Sequence, residues 1–168
     1  MELQFPKTQL SRLAAKYAVP RQEEELLALR ETVQAVGYLT KPQLRLLAYW
    51  KSPRSAGHVE KNSDSFIKEI TRFALSSSDE RARIEALTLL NGVLWPSASV
   101  VLHIFHADPY PILDFRALES LGTEVPNQYT FDFWFSYVGF CRRLAKQNRL
   151  TMRVLDRALW QHSKVGGA

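Results

Sequence analysis

Two consecutive stretches place reactive residue types where a tight turn or a helix end can use them. The first runs Leu90-Asn91-Gly92-Val93-Leu94-Trp95-Pro96-Ser97-Ala98-Ser99 and continues as a helix to His106. The second is Pro109-Tyr110-Pro111-Ile112-Leu113-Asp114. Together they spell a helix, a glycine turn, a second helix, a proline-stiffened loop and an aspartate opening a third helix. The first amides of a helix lack intrahelical partners and lie at the positive end of its dipole. The hairpin therefore offers an anion site suited to a backbone phosphate. Aspartate is among the best N-cap residues. A cap hydrogen bond also favours the ionised carboxylate, so capping and chemistry are compatible at Asp114.

Charge supplies the second signal. Residues 141–168 hold Arg142, Arg143, Lys146, Arg149, Arg153, Arg157 and Lys164 against one acid, Asp156. The other 140 residues hold 15 basic and 16 acidic side chains, so the net +5 lies in the last sixth of the chain. A local basic excess points to a polyanion, usually nucleic acid. Arg142, Lys146 and Arg149 share a narrow helical sector opposite Leu144. Arg153, Arg157 and Lys164 form a second stripe with Trp160 inside it, while Met152, Leu155 and Leu159 face a core. A solvated helical face is the competing account of both stripes. The aromatic run at 131–140 reads as core, with Phe133, Tyr137, Phe140 and Leu144 on one face.

The elements that position these residues are helical. Apolar residues recur at steps of three and four in Leu26, Leu27, Leu29, Val33 and Val36, in Phe66, Ile67, Ile70 and Phe73, and in Ile84, Leu87 and Leu90. Helices are expected near 8–18, 22–36, 41–51, 64–76, 79–90, 96–106, 115–121, 130–148 and 151–163. Thr40 with Gln43 and Ser77 with Glu80 match capping boxes, and Asp64 is a cap for the helix containing Phe66. Gly37, Asn91-Gly92 and Gly122 are stop signals. The β-rich run Val100–Ile104 continues the helix opened by Pro96. Residues 52–63, 107–113 and 122–129 read as loops, and Gly166-Gly167-Ala168 as a frayed end. The expectation is one all-α domain, 1–168, of about eight or nine helices, with a helix-hairpin-helix, loop and aspartate over about 79–121.

Composition narrows the class. With 168 residues, 46% apolar and 23% charged, the chain suits a globular domain that needs no staples. No apolar run approaches a membrane span, and Met-Glu-Leu-Gln-Phe-Pro does not open like a signal peptide. A soluble, cytoplasmic protein is expected. Cys141 alone cannot form an internal disulfide or a four-cysteine iron–sulfur cluster. His103 and His106 lack a clear third ligand, so no metal site is expected. Nothing matches a Walker glycine loop or a Gly-x-Ser-x-Gly elbow.

Residues 84–122 resemble the helix-hairpin-helix DNA glycosylases, the superfamily of endonuclease III and the adenine and alkyl-base glycosylases. The family hairpin reads roughly Leu-Pro-Gly-Val-Gly-x-x-Thr-Ala, and Leu90, Gly92, Val93, Ser97 and Ala98 match it. Leu-Asp-Phe-Arg-Ala-Leu stands where the family writes Val-Asp-Thr-His-Val. The resemblance implies a base-excision DNA repair enzyme that hydrolyses an N-glycosidic bond. Asp114 would be the catalytic carboxylate, stabilising an oxocarbenium-like sugar and orienting water. Gly92, Leu94, Ser97 and Ala98 would grip the phosphates of double-stranded DNA, with Arg142, Lys146, Arg149, Arg153 and Arg157 as a basic rim. Tyr49, Trp50 and Lys51, with Trp95, would line the base pocket. The lysine nucleophile of bifunctional members falls on Pro96, which implies a monofunctional enzyme, and the cluster cysteines of some members are missing. No cofactor is implied. Leu94 in place of the second hairpin glycine, and the short chain before the hairpin, favour an alternative. That alternative is a noncatalytic helical DNA-binding or protein-interaction module on a degenerate glycosylase scaffold.

Overall fold

Side-chain caps set the starts of several helices in the computed structural model, which describes residues 1–166. Gly167 and Ala168, from the stretch expected to fray, lie outside the described residues. A 3-10 turn (Lys7–Gln9) leads into α1 (Leu10–Ala15). The helix expected over 22–36 is two helices, α2 (Arg21–Ala28) and α3 (Arg30–Val36). They part at Leu29, whose amide turns to the Leu26 carbonyl at 3.2 Å. One tightened step leaves the apolar period almost unchanged, so the pattern does not reveal it.

In α4 (Lys41–Lys51) the Gln43 side chain receives the Thr40 amide at 2.8 Å, as the box requires. The expected loop at 52–63 is instead α5 (Pro53–Ala56) and a 3-10 turn (Gly57–Lys61), anchored by buried Ala56 and Val59. Pro53 opens α5 because its missing amide proton is no loss at a first helical position. The cap of α6 (Asp64–Ser76) is Ser63, which receives the Phe66 amide at 3.2 Å; Asp64 is the first helical residue. Asp79 caps α7 (Glu80–Leu87) by receiving the Ala82 amide at 2.7 Å. Ser77 supports that cap by binding the Asp79 amide at 3.2 Å. The remaining helices are α8 (Trp95–Phe105), α9 (Phe115–Glu119), α10 (Phe131–Gln147) and α11 (Met152–Gly166).

The protein is all-α, with no strand among the described residues. The Val100–Ile104 run lies inside α8, where Val100, Val101, Leu102 and Ile104 are buried. No described helix is long and apolar enough to cross a membrane.

The helices sort into two compact units. One is Val19–Asp108, holding α2 to α8 around Leu26, Val33, Leu44, Ile67, Ile84 and Leu102. The Gln34 amide reaches the Phe105 carbonyl at 3.2 Å and the Arg30 guanidinium the His106 carbonyl at 3.4 Å. These bonds satisfy carbonyls that the end of α8 leaves without helical donors. The other unit joins Met1–Ala18 to the chain from Pro109 onward. Its core includes Leu10, Leu13, Leu118, Trp134, Tyr137, Val138 and Leu159. Here α1 packs on α11, and the amides of Glu2 and Gln4 bind the Leu121 and Ser120 carbonyls at 2.9 and 3.0 Å.

Candidate functional site

The hairpin turn lies between α7 and α8 in the Val19–Asp108 unit. Gly92 takes φ +84°, a left-handed conformation open to glycine. A Cβ there would stand 2.9 Å from the Ser55 carbonyl oxygen and 3.1 Å from the Val59 nitrogen. The glycine thus lets the chain pack closely on itself. Buried Asn62 completes the turn: its side-chain nitrogen donates to the Asn91 carbonyl at 3.0 Å, and its oxygen accepts the Asn91 amide at 2.9 Å.

The four expected phosphate-binding residues of the hairpin therefore have different surroundings. Gly92 faces Ser55 and Val59, Ser97 and Ala98 are buried, and the Ala98 amide is given to the Leu94 carbonyl at 2.8 Å. Leu94 is the outermost of the four, at 68% exposed, with Leu89 nearby in sequence at 63%.

The expected base-pocket residues are likewise divided. Tyr49 is exposed under the Arg45 guanidinium, 5.6 Å from its ring centre. Arg45 pairs with Glu60 at 3.1 Å and Lys41 with Asp64 at 3.2 Å. Acids that follow α4 in sequence thus balance the basic run of α4. Tyr49, Arg45, Leu46 and Glu60 line a shallow groove of about 480 Å³, whose lining does not include Trp50, Lys51 or Trp95. These three are half-buried.

Asp114 sits in the other unit, partly exposed, as the N-cap of α9; its Oδ1 accepts the Arg116 amide at 3.0 Å. The loop that delivers it is strapped at two residues. Asp156 accepts the Ile112 amide at 3.1 and 3.3 Å, and Tyr137 donates its hydroxyl to the Ile112 carbonyl at 2.8 Å. Arg142 donates from Nε to the Pro109 carbonyl at 2.9 Å and lies over the Tyr110 ring at 4.5 Å. Tyr110 stacks on Trp134 at 5.8 Å, and both are fully buried. Side chains from α10 and α11 thus fix the course of the chain up to Asp114.

Sequence reasoning missed Asp156 and Tyr137, and assigned Arg142 to phosphate. The available signal was Asp156 itself, the one acid in a basic segment. Burial pushes the Tyr137 phenol well above its usual range, and the charges of Cys141, Asp156 and Asp114 push it further. The Cys141 thiol is raised chiefly by burial, then by Asp156. Partial burial and the Asp114 charge raise Tyr129 as well, so this phenol keeps its proton in the field of the carboxylate.

The basic rim separates into two groups. Arg153 lies 3.5 Å from Asp156 and 5.3 Å from the Tyr17 ring, and Arg157 is 5.4 Å from the same ring. These guanidiniums and that of Arg142 rest on protein surfaces, whereas Lys146 and Arg149 are exposed. His106 accepts the Asp108 amide on Nδ1 at 2.9 Å. Among the described residues no three His, Cys, Asp or Glu side chains gather as a metal site would require. No protein-family model, curated protein or solved structure matches the chain.

Proposed function

We propose that the protein is a monofunctional DNA glycosylase-like enzyme of base-excision repair, cytoplasmic and cofactor-free. Its reaction is hydrolysis of the N-glycosidic bond of a modified or mispaired base in double-stranded DNA. The observation that carries this reading is Asp114: a partly open carboxylate on a loop strapped at Pro109 and Ile112. Rigid placement is what an electrostatic catalyst needs, because its charge must already be aimed where positive charge develops. As the bond from C1′ to the base breaks, the base leaves with the electron pair and takes up a proton. Asp114 stabilises the cationic sugar and orients a water. The water oxygen bonds to C1′, and its proton passes to the carboxylate or to solvent.

The test is a panel of modified-base duplexes, incubated with protein and then treated with alkali to reveal abasic sites. Asp114→Asn keeps a good cap, so the fold should hold within about 1 kcal/mol, while excision should fall by about two orders of magnitude or more. Undiminished excision by this variant would remove Asp114 from the mechanism. Pro96 at the position of the family lysine supports the monofunctional assignment, since no Schiff base can form there. Borohydride should therefore trap no protein–DNA adduct. An adduct that disappears in Lys51→Ala would make Lys51 the nucleophile.

The exposed Leu94 and buried Ser97 and Ala98 favour a second reading, the noncatalytic module. Duplex binding with no abasic site across the whole panel would select it.

A further inference from the structure

We infer that Phe115 is the stacking platform for an unpaired nucleotide beside Asp114, an inference that rests on the DNA-directed reading above. Phe115 directly follows the candidate carboxylate and is 56% exposed, while Leu113, Ala117 and Leu118 around it in sequence are buried. A single exposed ring is ordinary on a protein surface; this one stands next to the candidate carboxylate and among cations, where it offers a face on which a base can stack.

The ring is also backed by cations. The Arg116 guanidinium lies 5.1 Å from the Phe115 ring centre and 5.5 Å from that of Trp160. Arg116 donates to the Ser163 hydroxyl at 3.4 Å, and Ser163 donates in turn to Glu119 at 2.5 Å. Lys164 extends the row, its ammonium 4.9 Å from the Trp160 ring. Ring, guanidinium, ring and ammonium form one ladder within this unit.

That chemistry selects the ligand class. A duplex phosphate would need the cations but not an exposed phenyl ring. A paired base has both faces covered by its neighbours, so the ring can stack only on a base that has left the stack. An unpaired nucleotide uses both features, with its base on Phe115 and its phosphate near Arg116 or Lys164. Such stacking tolerates any base, because every base presents a π-face.

The probes are two fluorescein-labelled duplexes, identical except that one carries a single bulged 2-aminopurine. Wild-type protein should bind the bulged duplex about tenfold more tightly and quench the 2-aminopurine. Phe115→Ala should lose both the preference and the quench while its affinity for the paired duplex and its thermal midpoint stay the same. Phe115→Tyr should restore both. A preference and quench unchanged in Phe115→Ala, or no preference in the wild type, overturns the inference. The panel assay separates the two readings. Excision without a role for Phe115 sinks this inference alone, whereas a Phe115-dependent preference without any excision sinks the enzyme reading alone. Failure of the wild type to bind either duplex overturns both.

Discussion

Asp156 receives the Ile112 amide on both carboxylate oxygens, at 3.1 and 3.3 Å, across 44 residues of chain. Tyr137 grips the carbonyl of the same residue at 2.8 Å. Both backbone polar groups of one buried residue are therefore met by side chains, and the carboxylate two residues later inherits its direction from them. Asp156 consequently acts on Asp114 through the backbone.

Asp156→Ala is expected to destabilise the protein by about 2–4 kcal/mol, since it strands a buried amide and removes the carboxylate beside Arg153. Asp156→Asn keeps an acceptor oxygen and should lose about half as much. Urea unfolding at constant m-value measures both. Two variants as stable as the wild type would show that the strap is dispensable.

The glycines make a second, paired prediction. Gly37 and Gly92 both have positive φ, +77° and +84°, but a Cβ on Gly37 meets nothing within 4 Å. Gly37→Ala should therefore report backbone strain alone, about 1 kcal/mol. Gly92→Ala adds overlap with Ser55 and Val59 and should lose about 1–3 kcal/mol more. Equal midpoint shifts for the two variants in thermal unfolding would contradict the close approach.

The cations should divide by partner. Lys146→Ala with Arg149→Asn removes two exposed charges; asparagine tolerates the φ of +54° found at Arg149. Stability should be unchanged, and the log–log salt dependence of duplex binding should flatten by roughly one unit for each phosphate no longer neutralised. Arg142→Ala should instead destabilise the protein by about 1–3 kcal/mol, through its bond to Pro109 and its place over Tyr110. An unchanged salt slope in the double variant would assign Lys146 and Arg149 to a solvated face.

Alkali should weaken the fold through Cys141 and Tyr137. Both are acids whose protonated forms the folded state favours, from ordinary values of 9.0 and 10.0. Below pH 9.0 the unfolded thiol is protonated too, and the stabilisation is complete. Above it the unfolded chain releases a proton that the folded chain keeps. Stability should then fall by up to about 1.4 kcal/mol per pH unit for each group, until pH passes the folded value. Cys141→Ser should flatten the decline between about pH 9 and 10 in urea titrations, where the thiol acts before the phenol. An identical slope would remove Cys141 from the linkage.

Local signals carried most of the architecture. The helical period identified an all-α chain, and Gly37, Gly92 and Gly122, expected as stops, all adopt positive φ. Met152, Leu155 and Leu159 are buried as their spacing requires. The period was less exact in α10: Phe133 and Phe140 are half-buried, while Trp134, Val138 and Cys141 are fully buried. A neighbouring element decides that rotation, since Tyr110 stacks on Trp134. Asp114 was legible as a cap because capping is local. The strap was not, because Arg142 meets Pro109 across 33 residues and spacing along one helix names a face without naming its partner. Leu29 and α5 escaped for a related reason: a single tightened step and one four-residue helix are too short to set a period.

The unit that joins residues 1–18 to the chain beyond 109 has a consequence during synthesis. Arg153 on α11 reaches the Tyr17 hydroxyl just after α1, a separation of 136 residues. At roughly 5–20 residues per second, about 7–27 s pass between translation of these two positions. The stretch Val19–Asp108 emerges whole in the interval and has its own core to collapse around. Residues 1–18 have no such partner yet, because α1, which buries Leu10 and Leu13 in the folded unit, packs on α11. Residues 1–18 are thus made well before the helix they pack on, and their share of this unit is among the last parts of it to fold.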